Sequence, residues 1–221
     1  MRDFYNIHTH RNSDVWSLRN ITFPQENQDI IQENKWYSVG LHPWFLDKNT
    51  IQLSLKEVQE TSKNQRVIAI GETGLDRKIT IDIDFQKEVF DKHIELSEEL
   101  HKPLIIHCVK AYSDILEAYK LHNPKQNWII HGFQGNLETA LALQKKGIYL
   151  SFGESLLKNE KLQQIFFNID SHLILFETDI SPVSVEIIYQ KAIKILNLEL
   201  EYIQKLIKKN LCNIFQEIYL I

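Results

Sequence analysis

The chain has 221 residues, enough for a single α/β domain with a substantial core, and its 43% hydrophobic and 24% charged content is ordinary for a globular protein. A formal net charge of −4 excludes a protein that holds nucleic acid by overall positive charge, although two divalent ions bound at one spot would reverse the local sign. With no eighteen-residue apolar run and no signal-peptide core, the expectation is a cytoplasmic protein that spans no membrane.

In chain order, short apolar runs fall at Phe4–His8, Leu18–Phe23, Trp36–Leu41, Val67–Ile70, Pro103–His107, Trp128–His131, Ile148–Phe152 and Leu173–Phe176. Several are nearly continuous in Val, Ile, Leu and Phe, the pattern of strands covered on both faces, as in parallel sheets. Between them lie helix-period stretches. Residues 82 to 101 align Phe85, Val89, Leu96 and Leu100 on one stripe, and 111–122, 137–146 and 159–168 behave similarly. Gly147 stands where a glycine ends a helix, and a final helix is expected over Glu199–Ile218 with Lys205, Lys208 and Lys209 on its wet side. Eight strands alternating with helices predict a (β/α)8 barrel over residues 1–221, with an open doubly wound sheet as the alternative. The short link between the first two runs leaves little room for a helix, so the barrel should be trimmed or irregular in its first βα units. Cys108 and Cys212 lack any CxxC spacing and are expected to be reduced, buried thiols.

Six of these runs end in residues that bind metals or move protons. The ends are His8-Thr9-His10, His42-Pro43, Glu72 within Gly71-Glu72-Thr73-Gly74-Leu75-Asp76, His107, His131, and Asp179 within Glu177-Thr178-Asp179. Each has an ordinary structural reading: a core histidine, a turn glutamate, a helix-initiating aspartate. Six such readings would have to hold independently, whereas barrel strands bring their carboxyl ends to one face, where active sites lie. Imidazole with carboxylate suits Zn, Mn, Fe or Ni, whereas a mostly oxygen site would suggest Mg or Ca, and the ion expected here is Zn, Mn, Mg or Ni. Six ligands exceed the needs of one ion, so two divalent ions are expected, lowering the pKa of a bound water towards about 7 for hydrolysis. No nucleophile elbow, P-loop or dinucleotide-binding loop occurs.

Taken together, these motifs resemble the TatD-like metal-dependent DNases of the amidohydrolase group of TIM barrels, over almost the whole chain. The matching residues are His8-Thr9-His10, Gly40-Leu41-His42-Pro43, the run Gly71 to Asp76, Phe85-Gln86 through Lys102-Pro103, His131-Gly132-Phe133-Gln134-Gly135, Glu177-Thr178-Asp179 with Ser181-Pro182, and Asn210 with Phe215. The resemblance implies that His8, His10, Glu72 and Asp179 hold one metal, and that Glu72 bridges to a second metal on His107 and His131. It implies Asp179 as general base, a nucleic-acid phosphodiester as substrate, and His42 in the substrate pocket. This chain departs from the family pattern in three places. It has Asn6 where an Asp is usual, lacks the Arg that follows His107, and is shorter between His10 and Gly40. Lys110, Arg77 or Arg11 would have to take over the phosphate contact. The same site would also serve a metal-dependent esterase, lactonase or amidase, and a catalytically silent metal-binding barrel is a third reading. Oligomeric state stays open, a monomer included.

Overall fold

The computed structural model describes residues 4–13, 15–26 and 30–215. The strands are β1 (Tyr5–Thr9), β2 (Trp16–Phe23), β3 (Trp36–Leu41), β4 (Val67–Asp76), β5 (Leu104–Val109), β6 (Trp128–Ile130), β7 (Tyr149–Phe152) and β8 (Ile174–Phe176). They follow chain order in the sheet, β1 to β8, and β1 with β2, β3 with β4, β4 with β5 and β7 with β8 pair in parallel. The helices are α1 (Ile51–Ser62), α2 (Ile83–Leu100), α3 (Tyr112–His122), α4 (Leu137–Gln144), α5 (Ser155–Lys158), α6 (Glu160–Asn168), α7 (Val185–Leu196) and α8 (Leu200–Ile214). This is the expected (β/α)8 order. All eight expected strands are present with ends displaced by at most two residues, except that β4 runs six residues beyond Ile70, through the Gly71 to Asp76 motif. Among the described residues no α-helix joins β1 to β2 or β2 to β3, so both early connections are trimmed.

Two compact units can be distinguished. One comprises Asn20–Ile129. Here β4 lies between β3 and β5 in parallel register, Val39 opposite Ile70 and Gly74 opposite His107. Between Ile70 and Thr73 the β4 ladder advances three residues while β5 advances two, from Leu104 to Ile106. That extra residue is a bulge, which re-aims a side chain, and Glu72 sits inside it. The core is aliphatic: Val39, Val58, Ile68, Leu104, Ile106 and Ile129 are buried. Helix α2 adds Phe85, Val89 and Leu96 from the stripe read in the sequence, and Phe90 beside them. Its N-terminus is capped by Asp82, whose carboxylate accepts from the Phe85 N–H at 3.0 Å.

The other unit comprises Met1–Arg19 and Ile130–Ile221. Its core is an aromatic ladder: Phe133, Phe152, Phe166, Phe176, Tyr189 and Phe4 follow one another with ring centroids 4.6–6.0 Å apart. All but the Phe166–Phe176 pair, tilted at 39°, are edge-to-face contacts, which suit the ring quadrupole. Strand β8 joins β1 through Thr178 N–H and Asp179 N–H, which both donate to the His8 carbonyl, and through His10 N–H, which donates to the Asp179 carbonyl. Asn6 closes the seam from below: its amide donates to Thr178 Oγ1 at 2.8 Å and its carbonyl accepts from Thr178 N–H at 3.0 Å. Strand β1 is also bulged, since Asn6 and Thr9 oppose Ser17 and Arg19. The end of α4 was well marked in the sequence, because Gly147 N–H and Ile148 N–H return to Gln144 and Leu143 as in a Schellman motif. The last part of the expected final helix, beyond residue 215, lies outside the described residues. Cys108 is buried as expected, which pushes its thiol up to about 12, but Cys212 is exposed, because it falls on the solvent side of amphipathic α8.

Two glycines separate local need from tolerance. Gly74, at φ +141, lies against β5 so closely that a Cβ would collide with the His107 carbonyl oxygen, whereas Gly147, at φ +76, faces open space. Gly74→Ala should therefore cost about 3 kcal/mol or more and Gly147→Ala about 1 kcal/mol, as compared by urea unfolding midpoints.

Candidate metal centre

Within the Asn20–Ile129 unit the side chains at the ends of β3, β4 and β5 meet. Glu72, 3% exposed, has its Oε1 3.1 Å from His42 Nε2 and 2.9 Å from His107 Nδ1, and the two imidazoles are themselves 3.2 Å apart. Ligand atoms of all three lie within 4.8 Å of one another, and all three residues are buried. The far nitrogen of His107, Nε2, lies 3.4 Å from Asp76 Oδ2. Burial pushes the Asp76 carboxyl up, but bonds from the Trp44 indole, the Lys78 N–H and His107 outweigh it and hold the group below the usual carboxylate range. A carboxylate behind a ligating imidazole fixes its tautomer and orientation, which is how metal sites are commonly supported.

Helix α2 anchors the ends of the strands from behind. His93, fully buried, accepts from Leu41 N–H at Nε2 (3.0 Å) and its Nδ1 lies 2.8 Å from the Val89 carbonyl. One turn pair earlier, Gln86 accepts from Asp76 N–H and donates to the Asp76 and Ile81 carbonyls. Gln86 and His93 are seven residues apart and share a helix face, so one rigid element fixes the backbone beside both His42 and Asp76.

The second cluster belongs to the other unit. His8 Nε2 and His10 Nε2 lie 3.7 and 3.5 Å from Asp179 Oδ1, and the His8 ring stands 4.5 Å from the ring of His131. His131 Nδ1 lies 3.3 Å from Glu177 Oε1. Burial pushes the Glu177 carboxyl up, yet His131, His8 and Ser151 together hold it below the ordinary range. Asp179 has a φ of 52°, a left-handed conformation that a non-glycine residue adopts at some cost, and its side chain is 39% exposed. It is thus the acid of this group most open to solvent. Imidazole nitrogens with carboxylate oxygens at this spacing are the donor set that divalent transition ions take, so the residues of both units fit such ions.

All six residues singled out as ligands thus lie in these two clusters. Sequence reasoning passed over His42 as a ligand candidate and overlooked Asp76, Glu177 and Trp44 as partners. The signal for the two acids was present, since both stand inside the motifs that contain Glu72 and Asp179. The candidate phosphate contacts fare unequally. Arg77 is committed to Asp114 by a two-pronged ion pair of 2.7 and 2.8 Å, which Lys87 joins at 2.8 Å and which lowers the Asp114 carboxyl to about 2. Lys110 is exposed just past β5, at φ 52°. Arg11 lines a polar recess of about 330 Å³ with Thr9, Ser181 and Ser184.

Fold and cluster chemistry define a barrel protein with a candidate divalent-metal centre, and comparison with known proteins assigns its family. The model of the TatD related DNase family matches residues 17–216, and the chain belongs to that family. It is 36% identical to an uncharacterized metal-dependent hydrolase of Buchnera aphidicola subsp. Baizongia pistaciae over 159 residues, 68% of this chain and 58% of that protein. Over 145 residues it is 30% identical to a TATDN1 homologue of Vairimorpha ceranae, provisionally named a deoxyribonuclease, covering 65% of this chain and 51% of that one. The chain thus matches little more than half the length of these curated relatives. Its fold is that of the TatD homolog YJJV from Escherichia coli, with a TM-score of 0.85 and 18% identity across 97% of this chain and 98% of the other.

His93 supplies a pH test of this support. Burial pushes its imidazole down to about 4, against about 6.5 when unfolded. It is neutral in the fold, so the unfolded chain binds the extra proton between those values. Stability should be complete above about pH 6.5 and fall as the pH drops towards 4. Thermal melts of His93→Gln should show a shallower dependence over that window.

Proposed function

We propose that this protein is a metal-dependent hydrolase that cleaves phosphodiesters of nucleic acid, with two divalent ions held by His8, His10, Glu72, His107, His131 and Asp179. The observation that carries the reading is that each unit gathers imidazoles around a carboxylate at the carboxyl ends of its strands. Metal ions bound there would lower the pKa of water towards about 7 and offset charge on the phosphoryl oxygens. The protein's own groups do the rest. Asp179, open to solvent and flanked by His8 and His10, takes the proton of the attacking water. Glu177 and Asp76 hold the His131 and His107 rings in place from behind. Family membership and the name of the Vairimorpha relative support nucleic acid as the substrate.

A second reading has its own support. Arg77 is neutralised by Asp114, so it is poorly placed to grip a phosphate, and a carbonyl ester, lactone or amide would need no such cation. A panel of single-stranded DNA, a simple phosphodiester, carboxyl esters and lactones, each with Zn, Mn, Mg, Co or Ni supplied, separates the two. Turnover of phosphodiesters is expected. Activity confined to carbonyl substrates would replace the nuclease reading by the esterase one.

Removing the ions should abolish turnover and lower the melting temperature, and restoring them at about 100 times Kd should return roughly 2.7 kcal/mol per site. Glu72→Gln should lose bound metal, measured by elemental analysis. Asp179→Asn should lower kcat about 10²-fold or more. Full activity in a metal-poor Glu72→Gln preparation would overturn the proposal.

A further inference from the structure

Trp44 is unusual in being both exposed and fixed. It lies in the short 3-10 turn Pro43–Phe45 that follows β3, and 56% of its surface faces solvent. Its backbone N–H donates to His42 Nδ1 at 3.1 Å, and its indole N–H donates to the buried carboxylate of Asp76 at 2.7 Å. The ring meets the imidazole of His42 nearly at right angles with centroids 5.0 Å apart, and that of His107 at 77° and 6.1 Å. The main chain and the side chain are therefore both pinned, beside two of the candidate ligands.

Ordering a large ring costs rotamer entropy, and an exposed ring recovers little of it by burial. A ligand that stacks on a ring already ordered has that cost removed from its own binding. Among chemical groups, the nucleobases share one feature that such a platform can use whatever their sequence, a flat π face. Grip by stacking also suits a chain of net charge −4 whose Arg77 is occupied by Asp114.

We propose that Trp44 is the stacking platform for an unpaired nucleobase next to the scissile ester, so that the site takes single-stranded rather than base-paired nucleic acid. The assignment rests on the phosphodiesterase reading above. In a duplex the faces of the bases are already stacked on their neighbours, so only an end, a flap or a single strand offers a free one.

The test compares wild type, Trp44→Phe and Trp44→Leu, with melting curves confirming that each is folded. Binding of cleavage-resistant phosphorothioate oligonucleotides is measured by fluorescence anisotropy with Mn²⁺ supplied. The oligonucleotides are a single strand, the same strand made abasic, and a duplex, in DNA and RNA versions that distinguish the two sources of the base. Trp44→Leu should weaken the base-bearing single strand about tenfold or more and leave the abasic strand unchanged, while Trp44→Phe, which keeps a π face but loses the indole bond to Asp76, should fall between Trp44→Leu and wild type. Equal weakening of both strands, or of neither, overturns the assignment. Cleavage of ordinary oligonucleotides is followed in parallel. Wild type that cleaves them without any base dependence at Trp44 refutes the platform alone. Wild type that binds bases through Trp44 but cleaves no phosphodiester refutes the phosphodiesterase reading instead.

Discussion

Glu72 is a carboxylate buried to 3% exposure, and burial of an anion costs several kcal/mol unless its partners compensate. Its neighbours at 2.9 and 3.1 Å are imidazoles, neutral or charged according to what else they bind. Much of the surrounding architecture can be read as the means of holding that carboxylate in place. The β4 bulge aims it, Gly74 lets β4 approach β5, and α2 pins the strand ends on either side through Gln86 and His93. A divalent cation would offset the buried charge directly, which connects the folding problem to the proposed chemistry.

The unit containing β1 and β8 meets the same constraint by another route. Here the seam between the first and last strands, tied by Asn6, Thr178 and the His8 carbonyl, holds His8, His10 and Asp179 together. Both ends of the Asn6 amide are spent on Thr178. The residue thus serves the seam, and the carboxylate near the imidazoles is supplied by Glu177, reaching His131, and by Asp179.

Much of this was legible in the sequence, because periodicity and strand-end chemistry are local. Trp36–Leu41 was bounded to the residue, and the helix observed at Ile83–Leu100 followed, within a residue at each end, from its apolar stripe. What escaped was set by tertiary geometry. The length of β4 was missed because Gly71 and Gly74 read as turn residues, whereas they admit a neighbouring strand. Helices α1 and α7 went unnoticed as separate elements, and so did the bulges at His8 and Glu72, since a one-residue slip in a ladder leaves no local mark. The commitment of Arg77 to Asp114, thirty-seven residues away, and the pinning of Trp44 by Asp76 are likewise visible only when distant side chains meet.

The proposed chemistry requires that these imidazole and carboxylate clusters hold divalent ions. Crystals grown with Zn²⁺ or Mn²⁺ and measured at the metal's absorption edge test it most directly. Anomalous peaks are expected within about 2.0–2.3 Å of ligand atoms of Glu72 and His107, and of His8, His10 and Asp179. Anomalous maps with no peak beside these side chains, from protein whose clusters are intact, would contradict it.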